Sequence, residues 1–186
     1  MATLADVLDP TGLASTRATD ATLAPRRADL SGLRIGLLEN TKHNAALLLD
    51  ELAGHLEREH GARTVLRRTK TAFALPMPDG LREEFLAECD VVLVGVGDCG
   101  SCSASAVADG IAFERSGVPA AVICSDAFTV TAASMAAVHG APDYAFLTTA
   151  HPVAILNPEA VAERAEQLLP QVLATVTDQA GRERAS

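Results

Sequence analysis

The chain of 186 residues has no tryptophan, one tyrosine and five phenylalanines, and aromatics make up only 3% of it. Its core must be built from alanine, valine and leucine, small side chains that let helices pack closely on a sheet. Positive charge is also short. Lys+Arg is 15 against 24 for Asp+Glu, a formal net charge of −9. A chain this acidic repels phosphate backbones. Its densest basic cluster, Arg63, Arg67, Arg68 and Lys70, is too short and interrupted to bind nucleic acid. No apolar run has the length needed to span a bilayer. The first residues, MATLADVLDPTG, carry Asp6 and Asp9 and lack a basic stretch followed by an apolar one, so no signal peptide is expected. The expected location is the cytoplasm. Thiols stay reduced there, so the four cysteines do not read as a structural disulfide set. With 48% apolar and 21% charged residues, the composition is that of a globular domain rather than a disordered chain.

Residues 1–31 are irregular, with Pro10, Gly12, Pro25 and scattered Thr and Ser. They read as an N-terminal arm packed on the domain or on a partner subunit, or else as a frayed tail. Residues 32–186 read as one α/β domain. Five short apolar runs, Leu33–Leu38, Arg63–Arg67, Val91–Gly95, Pro119–Cys124 and Tyr144–Leu147, have the look of strands buried on both faces. Helical patterns lie between them. Ala45, Leu48, Leu52 and Leu56 share one helix face that stops at Gly61. Residues 81–88, 101–116 and 129–138 follow, and Asn157-Pro158 starts the last helix. Five alternations of strand and helix predict a flavodoxin-like three-layer sandwich on a five-stranded parallel sheet ordered 2-1-3-4-5. The Pro-rich linker Thr71–Gly80 reads as a plain surface loop or as a flap near the ligand edge.

Ligands in such folds bind beyond the carboxyl ends of the strands. Four polar segments fall there: Glu39–Asn44, Gly97–Ser103, Cys124–Asp126 and Thr148–Pro152. Gly97 and Gly100 of the second, with Gly95 just before it, make a G-x-G-x-x-G spacing. It follows the third strand and lacks a suitably placed acid, so it is a poor dinucleotide fingerprint. Its free N–H groups remain attractive to an anion or a thiolate.

Within that turn lies Cys99-Gly100-Ser101-Cys102, a C-x-x-C at a helix N-terminus. The helix dipole and free amides there lower a thiol from its usual pKa of about 8.5. Cys102, one helical turn on, is placed to resolve an intermediate on Cys99. Structural thiols are the bland alternative. Half a zinc site is another, but no second C-x-x-C or close histidine pair completes it. Asp98, Gly100, Ser101 and Ser103 would shape the pocket. Cys124 and Ser125 end the next strand and either face the same pocket or are simply buried. Cys89 lies at the opposite end of the sheet and reads as structural. His151 reads as a proton donor or anion holder, or as a turn residue without a role. Asn40 and Thr41 read as a cap for the first helix, with Asn40, Lys42 and Asn44 as candidate substrate contacts. His55 and His60 read as solvated.

The segment VVLVGVGDCGSCSASAVADGIAFERSGVPAAVICSD, the opening Val7-Leu8-Asp9-Pro10-Thr11 and the run Asn40-Thr41-Lys42-His43-Asn44 resemble the UGSC-motif proteins, named for a selenocysteine-Gly-Ser-Cys motif. The resemblance implies that Cys99, standing where members carry selenocysteine, is the reactive position. The expected function is therefore a cysteine-dependent enzyme using Cys99 and Cys102 for nucleophilic or thiol-redox chemistry on a small metabolite. A second reading pairs Cys99 with Cys124 as acid and base on a substrate carbon, as in racemases or lyases. A third is a non-enzymatic small-molecule or metal-binding module. No cofactor and no metal is expected. The expected partner is a small-molecule substrate, with a homo-oligomer left open.

Overall fold

The computed structural model describes residues 23–178, so residues 1–22 of the expected arm lie outside it. Five strands and five α-helices alternate: β1 (Arg34–Glu39), α1 (Ala45–His60), β2 (Arg63–Thr69), α2 (Asp79–Glu88), β3 (Val91–Gly97), α3 (Gly100–Arg115), β4 (Ala120–Ser125), α4 (Thr129–Val138), β5 (Leu147–Thr149) and α5 (Pro158–Val176). All pairings are parallel and the sheet order is β2-β1-β3-β4-β5. This is the flavodoxin-like three-layer arrangement.

All residues of β3 are buried, as a central parallel strand requires, and its side chains alternate between the two faces until the pairing with β4 shifts register between Val94 and Gly97. Val91, Leu93 and Val96 join Ile35 and Ile123 beneath α1 and α5. Val92 and Val94 join Leu38 and Val122 beneath α2, α3 and α4. The helix ends follow their sequence signals. Asn157 caps α5 by accepting the Ala160 N–H at 2.9 Å, with Pro158 at the first helical position. Gly61 ends α1 in the left-handed conformation, at φ 67°.

Two strands depart from expectation. β2 is an edge strand in which only Leu66 is buried. Its outer residues Arg67 and Arg68 pair with Asp50 and Glu84, and charges of this kind discourage edge-to-edge association. β5 spans Leu147–Thr149 rather than Tyr144–Leu147. Tyr144 is apolar-buried without being paired: it sits before the strand and donates its hydroxyl to Ala120 O at 3.3 Å. His55, read as solvated, is mostly covered, with Nδ1 2.6 Å from Glu59 Oε1.

Residues 23–31 lie along the amino edge of the sheet. Arg26 grips the buried Glu114 of α3 with Nη1 and Nη2 at 2.6 and 2.8 Å, and its Nε donates to Thr175 O at 2.9 Å. Glu114 also accepts the N–H groups of Ala24 and Ala120. The linker after β2 is anchored rather than loose. Lys70 is buried and its ammonium contacts both Ser105 Oγ, at 2.6 Å, and Asp109 of α3. Ser105 in turn donates to Leu75 O and Asp109 accepts the Met77 N–H.

Candidate active site

The Gly-rich turn between β3 and α3 brings the two motif cysteines together. Gly97 permits the close approach. A Cβ there would sit 2.7 Å from both Cys124 Sγ and Ser103 Oγ and 2.9 Å from Ser103 Cα. Gly100, by contrast, faces open space, so the glycine spacing serves helix packing and not a dinucleotide cradle. Cys99 is the N-cap of α3, and its sulfur accepts the Cys102 N–H at 3.3 Å. It is the group placed to receive the positive end of the helix dipole. Cys102, fully buried in the first turn, is disulfide-bonded to Cys99, with their Cα atoms 5.2 Å apart. The Ser101 hydroxyl lies 3.7 Å from the Cys99 sulfur and is exposed.

Behind the turn, Asp98 is nearly buried and saturated with donors. Oδ1 lies 2.9 Å from His151 Nδ1, and Oδ2 accepts the N–H groups of Val153 and Ala154 at 3.1 and 3.0 Å. Burial alone would raise this carboxyl. Hydrogen bonds from Ser125, Ala154, Val153 and His151 outweigh burial and hold it below the usual carboxylate range. Ser125 Oγ, fully buried, lies 3.3 Å from Gly97 O and 3.1 Å from His151 Nδ1. His151 thus stands at the junction of three strand ends. Its own N–H donates to Asp126 Oδ1 at 3.0 Å, and Phe128 packs edge-on against its ring with centroids 5.3 Å apart.

The segment after β1 braces the same region. Asn40 does not cap α1. Its side chain is 3% exposed and clamps Val96 from both sides, donating Nδ2 to Val96 O at 2.9 Å and accepting Val96 N–H at 3.1 Å. The cap position belongs to Asn44, in the left-handed conformation at φ 67° and without a side-chain cap bond. Its Nδ2 reaches instead to Val153 O and Leu156 O, at 3.0 and 2.9 Å. His43 Nδ1 lies 2.7 Å from Ala154 O. Arg164 secures the other side of this loop through Thr149 Oγ1 and Ala150 O. Lys42 is half-buried, its ammonium 5.8 Å from the centre of the Phe73 ring in the anchored linker.

The polar groups chosen from the sequence therefore divide in two. Asn40, Asn44, Asp98 and Ser125 spend hydrogen bonds inward, on backbone groups and on His151. Ser103 Oγ is fully buried beside Cys124, the neighbour its hydroxyl faces, and has no partner of full hydrogen-bond geometry among the described residues. Cys124 is also fully buried, and burial pushes its thiol up to about 12 despite the neighbouring Ser103 hydroxyl. Neither side chain offers a surface to a ligand. Cys89 is buried as expected, and burial likewise pushes its thiol up to about 12. Cys99, Gly100, Ser101, Lys42 and His151 keep access to solvent. Lys70 and His43 were not singled out from the sequence. His43 sits inside a segment already selected by its position after β1. Lys70 was masked by the arginines preceding it, although it directly follows β2 at the ligand edge.

A cavity of about 450 Å³ opens at the opposite edge of the sheet, lined by Arg26, Arg27, Cys89, Asp90, Val118 and Val176 among others. Among the described residues no group of three or more His, Cys, Asp or Glu side chains is gathered as a metal site, and no helix is long and apolar enough to cross a membrane. A family model described as the UGSC family matches residues 6–178. Comparison with curated proteins finds no match.

Proposed function

The chain belongs to the UGSC family, and on that premise we propose that it is a cysteine-dependent enzyme acting on a small metabolite through the Cys99–Cys102 pair. One observation carries the reading. Two cysteines at bonding distance occupy the N-terminus of a helix, with the Cys99 sulfur itself accepting the Cys102 amide in the first turn of that helix. Such a thiol is stabilised as thiolate, and Cys102 is placed to displace whatever becomes attached to it. The enzyme cycles between dithiol and disulfide, and its substrate is an electrophile attacked by the Cys99 sulfur. The cytoplasm, which supplies reducing equivalents, is the compartment that suits this cycle. The two-thiol acid–base alternative gains no support, because Cys124 is sealed from solvent and its thiol is held protonated.

Mass spectrometry of the reduced protein tests this. Brief treatment with iodoacetamide at neutral pH should label Cys99 first and leave Cys89 and Cys124 unlabelled until the chain is unfolded. Mild peroxide should join Cys99 to Cys102 in the wild type, whereas Cys102→Ser should accumulate a sulfenic acid or mixed disulfide on Cys99. Preferential labelling of Cys124, or turnover that survives Cys99→Ser, would reject the assignment.

A further inference from the structure

We propose that His151 is the acid–base residue of the thiol centre and that Asp98 positions it, an inference that rests on Cys99 being the reacting thiol. The argument starts from which ring nitrogen carries the proton. Nδ1 lies 2.9 Å from Asp98 Oδ1, and the other carboxylate oxygen is occupied by the N–H groups of Val153 and Ala154. A carboxylate so supplied with donors stays ionised and acts only as an acceptor, so Nδ1 must hold the hydrogen. The lone pair of the neutral ring is then on Nε2.

Among the described residues, both side-chain hydrogen-bond contacts of the ring fall on Nδ1. Asp98 and Ser125 meet Nδ1, Phe128 packs against the ring, and Asp126 holds the backbone N–H. The side chain nevertheless remains 36% exposed, while Asp98 is 3% exposed. A buried carboxylate orienting a half-exposed imidazole is the arrangement that fixes a base in one tautomer. Asp98 is also the residue immediately before Cys99, so the carboxylate that orients the ring belongs to the motif turn itself.

The reaction this supports is attack on a disulfide whose leaving sulfur is basic. Before substrate arrives the helix N-terminus ionises Cys99 and its proton rests on Nε2, and the thiolate then bonds one substrate sulfur. The substrate S–S bond breaks, its electron pair stays on the departing sulfur, and that sulfur takes the proton from Nε2. Cys102 then attacks Cys99. The second substrate thiolate leaves with the Cys102 proton, and the protein disulfide remains. The substrate is reduced to two thiols and the protein dithiol is oxidised by the same two electrons.

A histidine that merely ties the β5 loop to Asp98 would not care which leaving group departs, so the leaving group is the probe. Reduced full-length protein is mixed with 2-hydroxyethyl disulfide, whose leaving thiolate needs a proton, or with 5,5′-dithiobis(2-nitrobenzoate), whose leaving thiolate does not. Single-turnover rates are followed, and attachment at Cys99 is verified by mass spectrometry. His151→Gln should slow the first reaction about 100-fold, the scale of general acid–base catalysis, and the second less than threefold. His151→Asn keeps an amide to face Asp98 but has no Nε2, and it should be as slow with the hydroxyethyl probe. Asp98→Asn should show the same selectivity to a smaller degree. Equal slowing with both probes, no slowing, or recovery in His151→Asn overturns the proposal while leaving the thiol reading intact. A wild-type Cys99 that reacts with neither probe overturns both.

Discussion

Replacing Lys70 by methionine isolates the contact that anchors the linker over α3. Lys70 and Asp109 are 2% and 1% exposed, so neither charge has water to fall back on. Without the ammonium, Asp109 keeps only the Met77 N–H at 2.8 Å as a donor, and Ser105 loses a partner at 2.6 Å. Leaving one member of a buried ion pair uncompensated costs about 3–5 kcal/mol. For a domain of this size that lowers Tm by roughly 6–20 °C. The double variant Lys70→Met/Asp109→Leu removes the stranded charge and orphans only the Met77 amide, at about 1–3 kcal/mol, so it should be more stable than the single variant. The pH dependence has a definite sign. Burial raises the Asp109 carboxyl even in the wild type, and losing Lys70 raises it further. A raised carboxyl contributes stability that is full below its unfolded pKa of about 3.9 and is lost as pH rises through its folded value. The penalty of Lys70→Met must therefore be larger at pH 8 than at pH 5. Urea unfolding followed by circular dichroism at both pH values measures it, and cleavage within residues 71–78 should accelerate in parallel. A loss below about 1 kcal/mol at pH 8, or a larger loss at pH 5, would refute the reasoning.

Two other outcomes follow from the site. Gly97→Ala should cost about 1–3 kcal/mol by overpacking and slow Cys99 alkylation, because the new methyl group must push back Ser103 and the first turn of α3; unchanged alkylation would mean that the turn yields elsewhere. Asp98→Asn should destabilise by about 2 kcal/mol at neutral pH, since a charge-assisted acceptor of several donors is lost. Asp98 has a lowered carboxyl, so its contribution is present above about pH 3.9 and disappears as pH falls through the folded value. Chemical denaturation of wild type and variant should converge toward pH 3, and a gap that widens there would contradict the assignment.

The strand order and the motif turn were legible because their signals are local: apolar runs, glycines at turns, Asn157-Pro158 before a helix. Burial and strand pairing separate at Tyr144, which packs against β4 through Ala120 before the chain enters the sheet at Leu147. The framework role of Asn40 was not legible, since its partner Val96 lies 56 residues away and only the neighbouring strand brings it near. The same holds for Asp98, whose donors come from beyond β5, and for Lys70, whose acid sits two turns along α3. Residue type marked the carboxyl edge of the sheet as the place where polar side chains gather. Only the partners tell which polar atoms are already spoken for and which are left to meet a substrate.

The strap of residues 23–31 has a consequence for handling the molecule. Arg27 forms a parallel bridge with Thr177, and Asp178 N donates to Arg27 O at 2.8 Å, so the first and last described segments run side by side. Both lie at the amino edge of the sheet, a full strand length from Cys99. A tether attached through either segment to a bead, an electrode or a fused protein leaves the described body with its thiols facing away from the support. Joining the two segments by a short linker in place of residues 1–22 and 179–186, and reopening the chain in an exposed loop, would produce a permuted protein in which the Arg26–Glu114 clasp lies beside the new junction.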